Sequence, residues 1–130
     1  MHSLSGFWAG TYAYLESGIP AVQFDCELRQ DGSIISGEIT ESHRAGQMLI
    51  ATLSGQLMGT KIQFIKSYRA GGSSYLWDIA YSGTVSPKKD HISGQWRVGM
   101  RTGTFEMQRD AGELREAETR ETADELSVKS

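Results

Sequence analysis

Apolar and polar residues alternate with a period of two through most of residues 1–109. The clearest case is the segment 22–29, in which Val22, Phe24, Cys26 and Leu28 fall on one face and Gln23, Asp25, Glu27 and Arg29 fall on the other. Successive side chains of a β-strand point to opposite faces, so this pattern predicts a strand with one buried face. Asp31 and Gly32 follow it, and a glycine after aspartate is typical of a tight hairpin turn.

The same pattern, interrupted by turn residues, predicts eight strands. They span residues 4–15, 21–29, 33–41, 48–57, 61–69, 75–85, 91–98 and 102–109. Short connections favour antiparallel neighbours, because a parallel crossover needs about a dozen residues. Closing such a sheet removes its exposed edges. The prediction is an all-β fold, an eight-stranded antiparallel up-and-down β-barrel, formed by a single domain over residues 1–109.

An internal repeat supports a closed sheet. The pattern Ser/Thr-Gly-x-apolar occurs six times, with its glycines at Gly6, Gly37, Gly55, Gly83, Gly94 and Gly103. Chance would give about one such match at this composition. Glycines inside strands are typical of the tight bends of small barrels, where neighbouring side chains fill the space that the glycine leaves.

Residues 110–130 form a second region with a different composition. They hold three Lys/Arg and seven Asp/Glu, a net charge of −4, whereas residues 1–109 hold ten and nine, a net charge of +1. Leu114 and Leu126 supply little apolar surface, which predicts an acidic tail that is helical or disordered. The barrel lacks the clustered basic face of nucleic-acid binders, and no apolar run is long enough for a membrane helix. We therefore expect neither nucleic acid nor membrane as a partner.

Cys26 is the single cysteine of the sequence, so an intramolecular disulfide is excluded. The first residues also lack the basic stretch followed by an apolar stretch that is typical of a secretion signal. These two observations together predict a cytoplasmic protein. Cys26 lies in the apolar register of its strand, which indicates a buried, unreactive thiol. No metal-ligand spacing relates His2, His43 and His91, and no phosphate loop or nucleophile elbow is found. The sequence thus predicts no metal, no cofactor and no recognisable catalytic motif.

Several short segments carry a family resemblance. The segment Leu4-Ser5-Gly6-Phe7-Trp8 resembles the opening strand of the avidin and streptavidin family, and its Gly-x-Trp is also similar to the lipocalin opening motif. Segments 54–57, 66–69, 81–83 and 92–96 are similar to later streptavidin segments, in the same order. The resemblance covers about residues 4–107 and implies a calycin-type eight-stranded barrel, open at one end to a small ligand.

The family's biotin-binding residues do not carry over well. By resemblance, its third-strand tyrosine corresponds to Ile39, its threonine ligand in the sixth strand to Ile79, and its pocket tryptophans to Ile65, Tyr81 and Trp96. Each polar group of biotin left unpaired by these changes would cost about 1–3 kcal/mol on burial. The resemblance therefore implies the fold without biotin binding.

The parity of the strands gives the candidate ligand site. Glu41 shares the face of Ile39, and Lys66 and Tyr68 share the face of the inward Phe64. An eight-stranded barrel has room for packed side chains or for one small ligand. The candidate ligand-binding residues are Trp8, Tyr12, Tyr14, Glu41, Lys66, Tyr68, Trp77, Tyr81, Trp96 and Phe105. An apolar chamber with a few polar groups is typical of a small-ligand site.

These residues allow three functional hypotheses. The leading one is non-enzymatic binding of a small, partly apolar ligand inside the barrel. In the second, the protein is an interaction module: aromatic residues fill the barrel, the charges reach out at its rims, and an outer face bearing Ile35, Ile50 and Ile65 joins subunits into a homodimer or higher oligomer, or binds a partner protein. In the third, a small enzyme uses the barrel mouth, with Glu41, Lys66 and Tyr68 as acid, base and hydrogen-bond donor.

Overall fold

The computed structural model describes residues 3–16, 18–42, 48–69 and 78–110. These residues form eight β-strands. The strands are β1 (Gly6–Tyr14), β2 (Val22–Asp31), β3 (Ile34–Ser42), β4 (Met48–Met58), β5 (Lys61–Tyr68), β6 (Ile79–Val85), β7 (His91–Val98) and β8 (Arg101–Arg109). No helical segment with the length and hydropathy of a membrane span is found among them.

The eight strands close into one antiparallel barrel in sequence order. Each strand pairs with the next one along the chain, and β1 pairs with β8, where Trp8 lies opposite Arg109 and Tyr14 opposite Gly103. The predicted fold class is confirmed. The closed order follows from the short connections between strands, since each favours an antiparallel neighbour.

Most predicted strand bounds agree with the observed ones to within two residues. The predicted sixth strand began at residue 75, but residues 70–77 lie outside the described residues, and β6 is described from Ile79. The predicted helical or disordered tail spans residues 110–130, and all of it beyond Asp110 also lies outside the described residues. The tail and the division into two regions therefore stay predictions.

The barrel interior is formed by alternate residues of every strand. In β2, for example, Phe24, Cys26 and Leu28 are buried, and the residues between them are exposed. The buried apolar residues form one continuous core. Its members are Leu4, Trp8, Tyr12, Phe24, Cys26, Leu28, Ile35, Ile39, Ala51, Leu53, Leu57, Ile62, Phe64, Tyr81, Val85, Ile92, Trp96, Phe105 and Met107.

The prediction that Ile35 lies on the outer face is wrong. Its side chain is 0% exposed, whereas Ile50 and Ile65 are 38% and 43% exposed on the outside of the barrel. The reason is the parity of β3, because Ile35 lies an even number of residues from Ile39 and therefore shares its inward face. The neighbouring Ile34 is the exposed isoleucine of this strand.

The repeated glycines mark places where two strands come very close. A Cβ atom at Gly103 would collide with the Trp96 ring and with the backbone oxygen of Ala13. Gly10, which lies outside the repeat, leaves the same kind of space for the ring of Phe24. Any larger residue at these positions would force the strands or the aromatic rings apart.

The two ends of the barrel differ. At one end, which we call the Trp8 end, the turns after Asp31 and Met58 contain Gly32 and Gly59, both with positive φ. The opposite end, which we call the Tyr68 end, holds the connections β1–β2, β3–β4, β5–β6 and β7–β8. Half-buried apolar side chains pack against the core at the Tyr68 end, namely Tyr14, Val22, Tyr68, Ile79 and Val98. Among the described residues, inward side chains near the Trp8 end, such as Trp8 and Leu28, are therefore more deeply buried than those near the Tyr68 end.

Candidate functional site

A charged pair lies inside the barrel. The Lys66 ammonium donates a hydrogen bond to Oε2 of Glu41, and the two side chains are 1% and 0% exposed. Glu41 comes from β3 and Lys66 from β5, so the pair spans β4 across the interior. Removing two charges from water costs several kcal/mol for each ion, which the pairing repays only with further hydrogen bonds.

Two tyrosines supply those hydrogen bonds. The Tyr12 hydroxyl donates to Oε1 of Glu41 at 3.1 Å, and the Tyr68 hydroxyl lies 3.1 and 3.0 Å from Oε1 and Oε2. Glu41 thus accepts hydrogen bonds from three residues on two other strands. Within the described part of the chain, no buried side-chain nitrogen or oxygen lacks a partner.

Aromatic faces surround the ammonium group. Nζ of Lys66 lies 4.7 Å from the ring centroid of Tyr12, 4.8 Å from that of Tyr68 and 5.9 Å from that of Tyr81. Contacts of this kind attract a cation through the negative face of the ring. We call these five residues the Glu41 cluster: Tyr12, Glu41, Lys66, Tyr68 and Tyr81.

Burial is the largest cause of the pKa shifts of Tyr12, Lys66, Tyr68 and Tyr81. It lowers the pKa of Lys66, while the charge of Glu41 acts in the opposite direction. Burial raises the pKa of Tyr12, and the Glu41 carboxylate adds to this increase. The pKa values of Tyr68 and Tyr81 are raised by burial in the same way, with Tyr12 and Glu41 contributing. The three phenols are therefore hydrogen-bond donors over the physiological pH range.

Below the cluster, the aromatic residues pack against one another. Tyr81 stacks on Phe64 with ring centroids 4.7 Å apart, and Phe105 meets Tyr81 edge-on at 4.9 Å. These contacts fill the middle of the barrel and fix the orientation of the Tyr81 ring. Such aromatic pairs add about 0.5–1.5 kcal/mol beyond the area that they bury.

Towards the Tyr68 end, the interior is lined by Trp96, Tyr12 and Tyr14. The Trp96 ring meets Tyr14 edge-on at 5.1 Å and Tyr12 edge-on at 6.2 Å. Its Nε1 donates to the backbone oxygen of Ala13 at 3.1 Å. One hydrogen bond and two ring contacts therefore place Trp96 beside Tyr12 of the Glu41 cluster.

The structure brings most of the predicted site residues into this half of the barrel. Trp8 is the exception, because it lies at the Trp8 end, where its Nε1 donates to the backbone oxygen of Leu4 at 2.9 Å. Phe105 lies beneath the cluster and contacts it through Tyr81. Trp77 lies outside the described residues. Whether these residues bind a ligand stays a prediction.

One part of the filled-barrel hypothesis is wrong. It placed the interior charges at the rims, but Glu41 and Lys66 point into the core and contact each other. Parity along β3 and β5 predicted the inward direction of both residues, but not their contact across β4. The stacking of Phe64 on Tyr81 was also not predicted, although both belonged to the inward set.

Cys26 is buried as predicted, and burial raises the pKa of its thiol to about 12. Among the described residues, no group of three or more His, Cys, Asp or Glu side chains is placed to hold a metal ion. Three depressions of about 400, 500 and 540 Å³ lie in the outer wall, and neither Glu41 nor Lys66 lines them. Glu41 and Lys66 are the buried charged side chains of the described residues.

No protein-family model and no curated protein matches the sequence. Solved structures of β-barrels do match the fold. A redesigned β-barrel superposes with a TM-score of 0.69 at 11% identity, covering 82% of this chain and 91% of the other. Another redesigned barrel, mFAP1 bound to DFHBI, superposes with a TM-score of 0.65 at 8% identity, covering 82% and 94%. A de novo designed fluorescence-activating barrel gives 0.59 at 14% identity, covering 82% and 93%.

At these identities the likeness concerns the fold alone. It supports the coarser part of the resemblance inferred from the sequence, a small antiparallel β-barrel. The finer likeness to the avidin family stays a prediction. One position of the biotin-site comparison is not part of the interior, since Ile65 faces outwards.

Proposed function

We propose that the protein binds a small, partly apolar ligand inside the Tyr68 end of the barrel, without transforming it. The observation that carries this proposal is the buried Glu41–Lys66 pair with its tyrosine donors. A filled barrel needs no such pair, because replacing a buried ion pair by apolar side chains is often neutral or stabilising. Costly buried polar groups of this kind are typical of binding sites.

The Tyr68 end is favoured because of the gradient in burial. Tyr14, Tyr68 and Ile79 are half-buried there, while Tyr12, Glu41 and Lys66 are fully buried one layer below. A ligand arriving from this end would place its apolar body against aromatic and aliphatic side chains. Its polar group would then face the Glu41 cluster.

The cluster favours a ligand with a hydrogen-bond acceptor. The Lys66 ammonium has three N–H groups, and its described contacts are one hydrogen bond, to Glu41, and three aromatic faces. It can therefore donate to a carbonyl, hydroxyl or carboxyl oxygen. The charge of Glu41 offsets that of Lys66, which favours a neutral ligand over a strongly anionic one.

The structural neighbours support the same function by analogy. One matching barrel was solved with the small molecule DFHBI bound, and another is described as fluorescence-activating. A barrel of this size holds at most one small ligand. We also retain two untested proposals, location in the cytoplasm and self-association through an outer face bearing Ile50 and Ile65.

Native mass spectrometry of protein purified from its own host tests the proposal directly. The expected result is a retained small molecule, with one copy bound to each chain. The same spectrum gives the subunit count. In parallel, the ligand-free protein is screened with DFHBI and with anilinonaphthalene sulfonate, and tryptophan quenching is measured.

Tryptophan variants locate the binding site. In a Trp77→Phe background, quenching should survive Trp8→Phe and disappear with Trp96→Phe, because Trp96 lies beside the cluster and Trp8 at the opposite end. Circular dichroism confirms that each variant is folded. A protein with no retained molecule and no tryptophan quenching by either probe would contradict the proposal.

A further inference from the structure

We propose that the interior site binds ligands that carry an aldehyde or ketone, and that Lys66 joins them covalently as an imine. This inference rests on the proposed ligand-binding function and specifies the ligand class. It also assigns a reactive role to a lysine that simple binding would use only as a hydrogen-bond donor. The argument starts from the surroundings of the amine.

Lys66 has the environment of a nucleophilic lysine. Its side chain is 1% exposed inside a largely apolar barrel, and its register partners on the two neighbouring strands are Leu53 of β4 and Ile79 of β6. Desolvation favours the neutral, reactive form of an amine. In agreement with this, burial lowers the pKa of Lys66, although the charge of Glu41 opposes the shift.

Glu41 is positioned to move the protons of the reaction. It contacts the ammonium directly and can accept one proton from it, which frees the nitrogen lone pair. The nitrogen then attacks the carbonyl carbon, a C–N bond forms, and Glu41 returns the proton to the carbonyl oxygen. The resulting carbinolamine loses its hydroxyl group as water when Glu41 delivers a second proton from the nitrogen.

The atoms and charges of this reaction balance without any further reactant. The ammonium enters with three protons, of which two leave with the carbonyl oxygen as water. The third stays on the iminium nitrogen, which keeps the positive charge of Lys66 opposite the Glu41 carboxylate. The buried ion pair is therefore preserved in the product.

The tyrosines complete the site. The hydroxyl groups of Tyr12 and Tyr68 hold the Glu41 carboxylate in place, at 3.0–3.1 Å. Tyr68 is half-buried and lies one inward position nearer to the barrel end, so its ring borders the path of an incoming carbonyl group. The faces of Tyr12 and Tyr68 stabilise the cation both before and after the reaction.

Trapping with a reductant tests the inference. The full-length protein is incubated with benzaldehyde and cyanoborohydride, which reduces an iminium to a stable secondary amine, and peptide mass spectrometry locates the adduct. We expect labelling of Lys66 to exceed that of Lys61 by about tenfold. Lys61 is the matched control, since it lies on the exposed outer side of the same strand and donates to Thr84 at 3.2 Å.

Variants test the assigned roles. Glu41→Gln should slow the labelling of Lys66 by roughly tenfold or more, because the proton acceptor is lost. Tyr12→Phe keeps the ring but removes one hydrogen bond to Glu41, so it should slow the labelling by a smaller factor than Glu41→Gln does. Lys61→Gln should leave Lys66 labelling unchanged. Circular dichroism and thermal melting are recorded for each variant. If Glu41→Gln does not fold, Tyr68→Phe takes its place, because it removes a hydrogen bond to the same carboxylate.

Benzyl alcohol separates this inference from the proposed function. If benzyl alcohol quenches Trp96 and benzaldehyde does not label Lys66 preferentially, the imine inference is wrong and simple binding stands. Equal labelling of Lys66 and Lys61 also overturns the inference. If neither molecule binds and no retained ligand is found by native mass spectrometry, the proposed function fails, and the inference fails with it.

Discussion

The guanidinium carbon of Arg109 lies 4.7 Å from the ring centroid of Trp8, at the end of the barrel opposite the charged cluster. The contact joins the last strand to the first, and Trp8 is also the register partner of Arg109. The guanidinium also donates hydrogen bonds to the backbone oxygen atoms of Ser3, Ser5 and Lys89. One side chain thereby ties together the N-terminal segment, the β6–β7 turn and the Trp8 indole.

We predict that Arg109→Met lowers the free energy of unfolding by about 2–3 kcal/mol, because a cation–π contact and several backbone hydrogen bonds are lost together. Arg101→Met is the matched control. Arg101 also covers an aromatic ring, that of Tyr14 at 4.9 Å, but its ion pair with Glu16 is exposed, and its loss should cost less than about 1 kcal/mol. Urea denaturation measures both values. Equal costs for the two variants would contradict a special role for Arg109.

The Glu41–Lys66 pair should show strong coupling in a double-mutant cycle. Lys66→Met or Glu41→Leu alone should destabilise the barrel by about 3–5 kcal/mol, because each leaves a buried charge without its partner. The double variant should recover most of this loss while abolishing ligand binding. Thermal melting of the four proteins gives the coupling. Additive losses would show that the two residues do not act as a pair.

The buried phenols predict a loss of stability at alkaline pH. The pKa values of Tyr12, Tyr68 and Tyr81 are raised above 10, the value that each phenol regains on unfolding. Their contribution is therefore complete below pH 10 and is lost as the pH rises above it. Above pH 10, each group lowers the free energy of unfolding by about 1.4 kcal/mol per pH unit, so the three together lower it by about 4 kcal/mol per pH unit. Ultraviolet absorbance should show their ionisation only as the barrel unfolds. Phenols that ionise while circular dichroism still reports a folded barrel would contradict this.

Cys26 should be protected from thiol reagents in the folded protein. Burial raises the pKa of its thiol to about 12, and the thiolate is the form that reacts. Ellman's reagent at mildly alkaline pH should therefore modify Cys26 at the rate of unfolding, and immediately in concentrated urea. A fast reaction in native buffer would show that β2 opens far more easily than its packing suggests.

A chain that ends at Asp110 should retain the barrel. All eight strands and their closure lie between Gly6 and Arg109, and the amide of Asp110 donates to Phe7 at 3.0 Å. We expect unchanged β-type circular dichroism and a loss of less than roughly 1 kcal/mol in stability. A sharp drop in melting temperature would assign residues 111–130 to the fold.

The sequence predicted the strands because each one carries its own period-2 pattern, and the turns because Gly32 and Gly59 accept positive φ. It predicted the inward direction of Glu41 and Lys66 by the same parity. Their contact could not be predicted, since it depends on the tilt and stagger of strands around a barrel, which no single strand encodes. The error at Ile35 was avoidable. Its parity with Ile39 already indicated the interior, but the prediction placed it on the outer face.

The pairing of β1 with β8 has a consequence for synthesis. Arg109 donates a hydrogen bond to the backbone oxygen of Ser5, which lies 104 residues earlier in the chain. Because β1 pairs with β8, the barrel cannot close until the last strand has been synthesised. Contacts at such long range form slowly, and unfinished sheets carry unpaired edges that attract other chains. A barrel in which β8 has not yet docked presents β1 and β7 as two open edges. Pairing of the final strand with β1 and β7 is therefore the step that removes the edges at which other chains could aggregate.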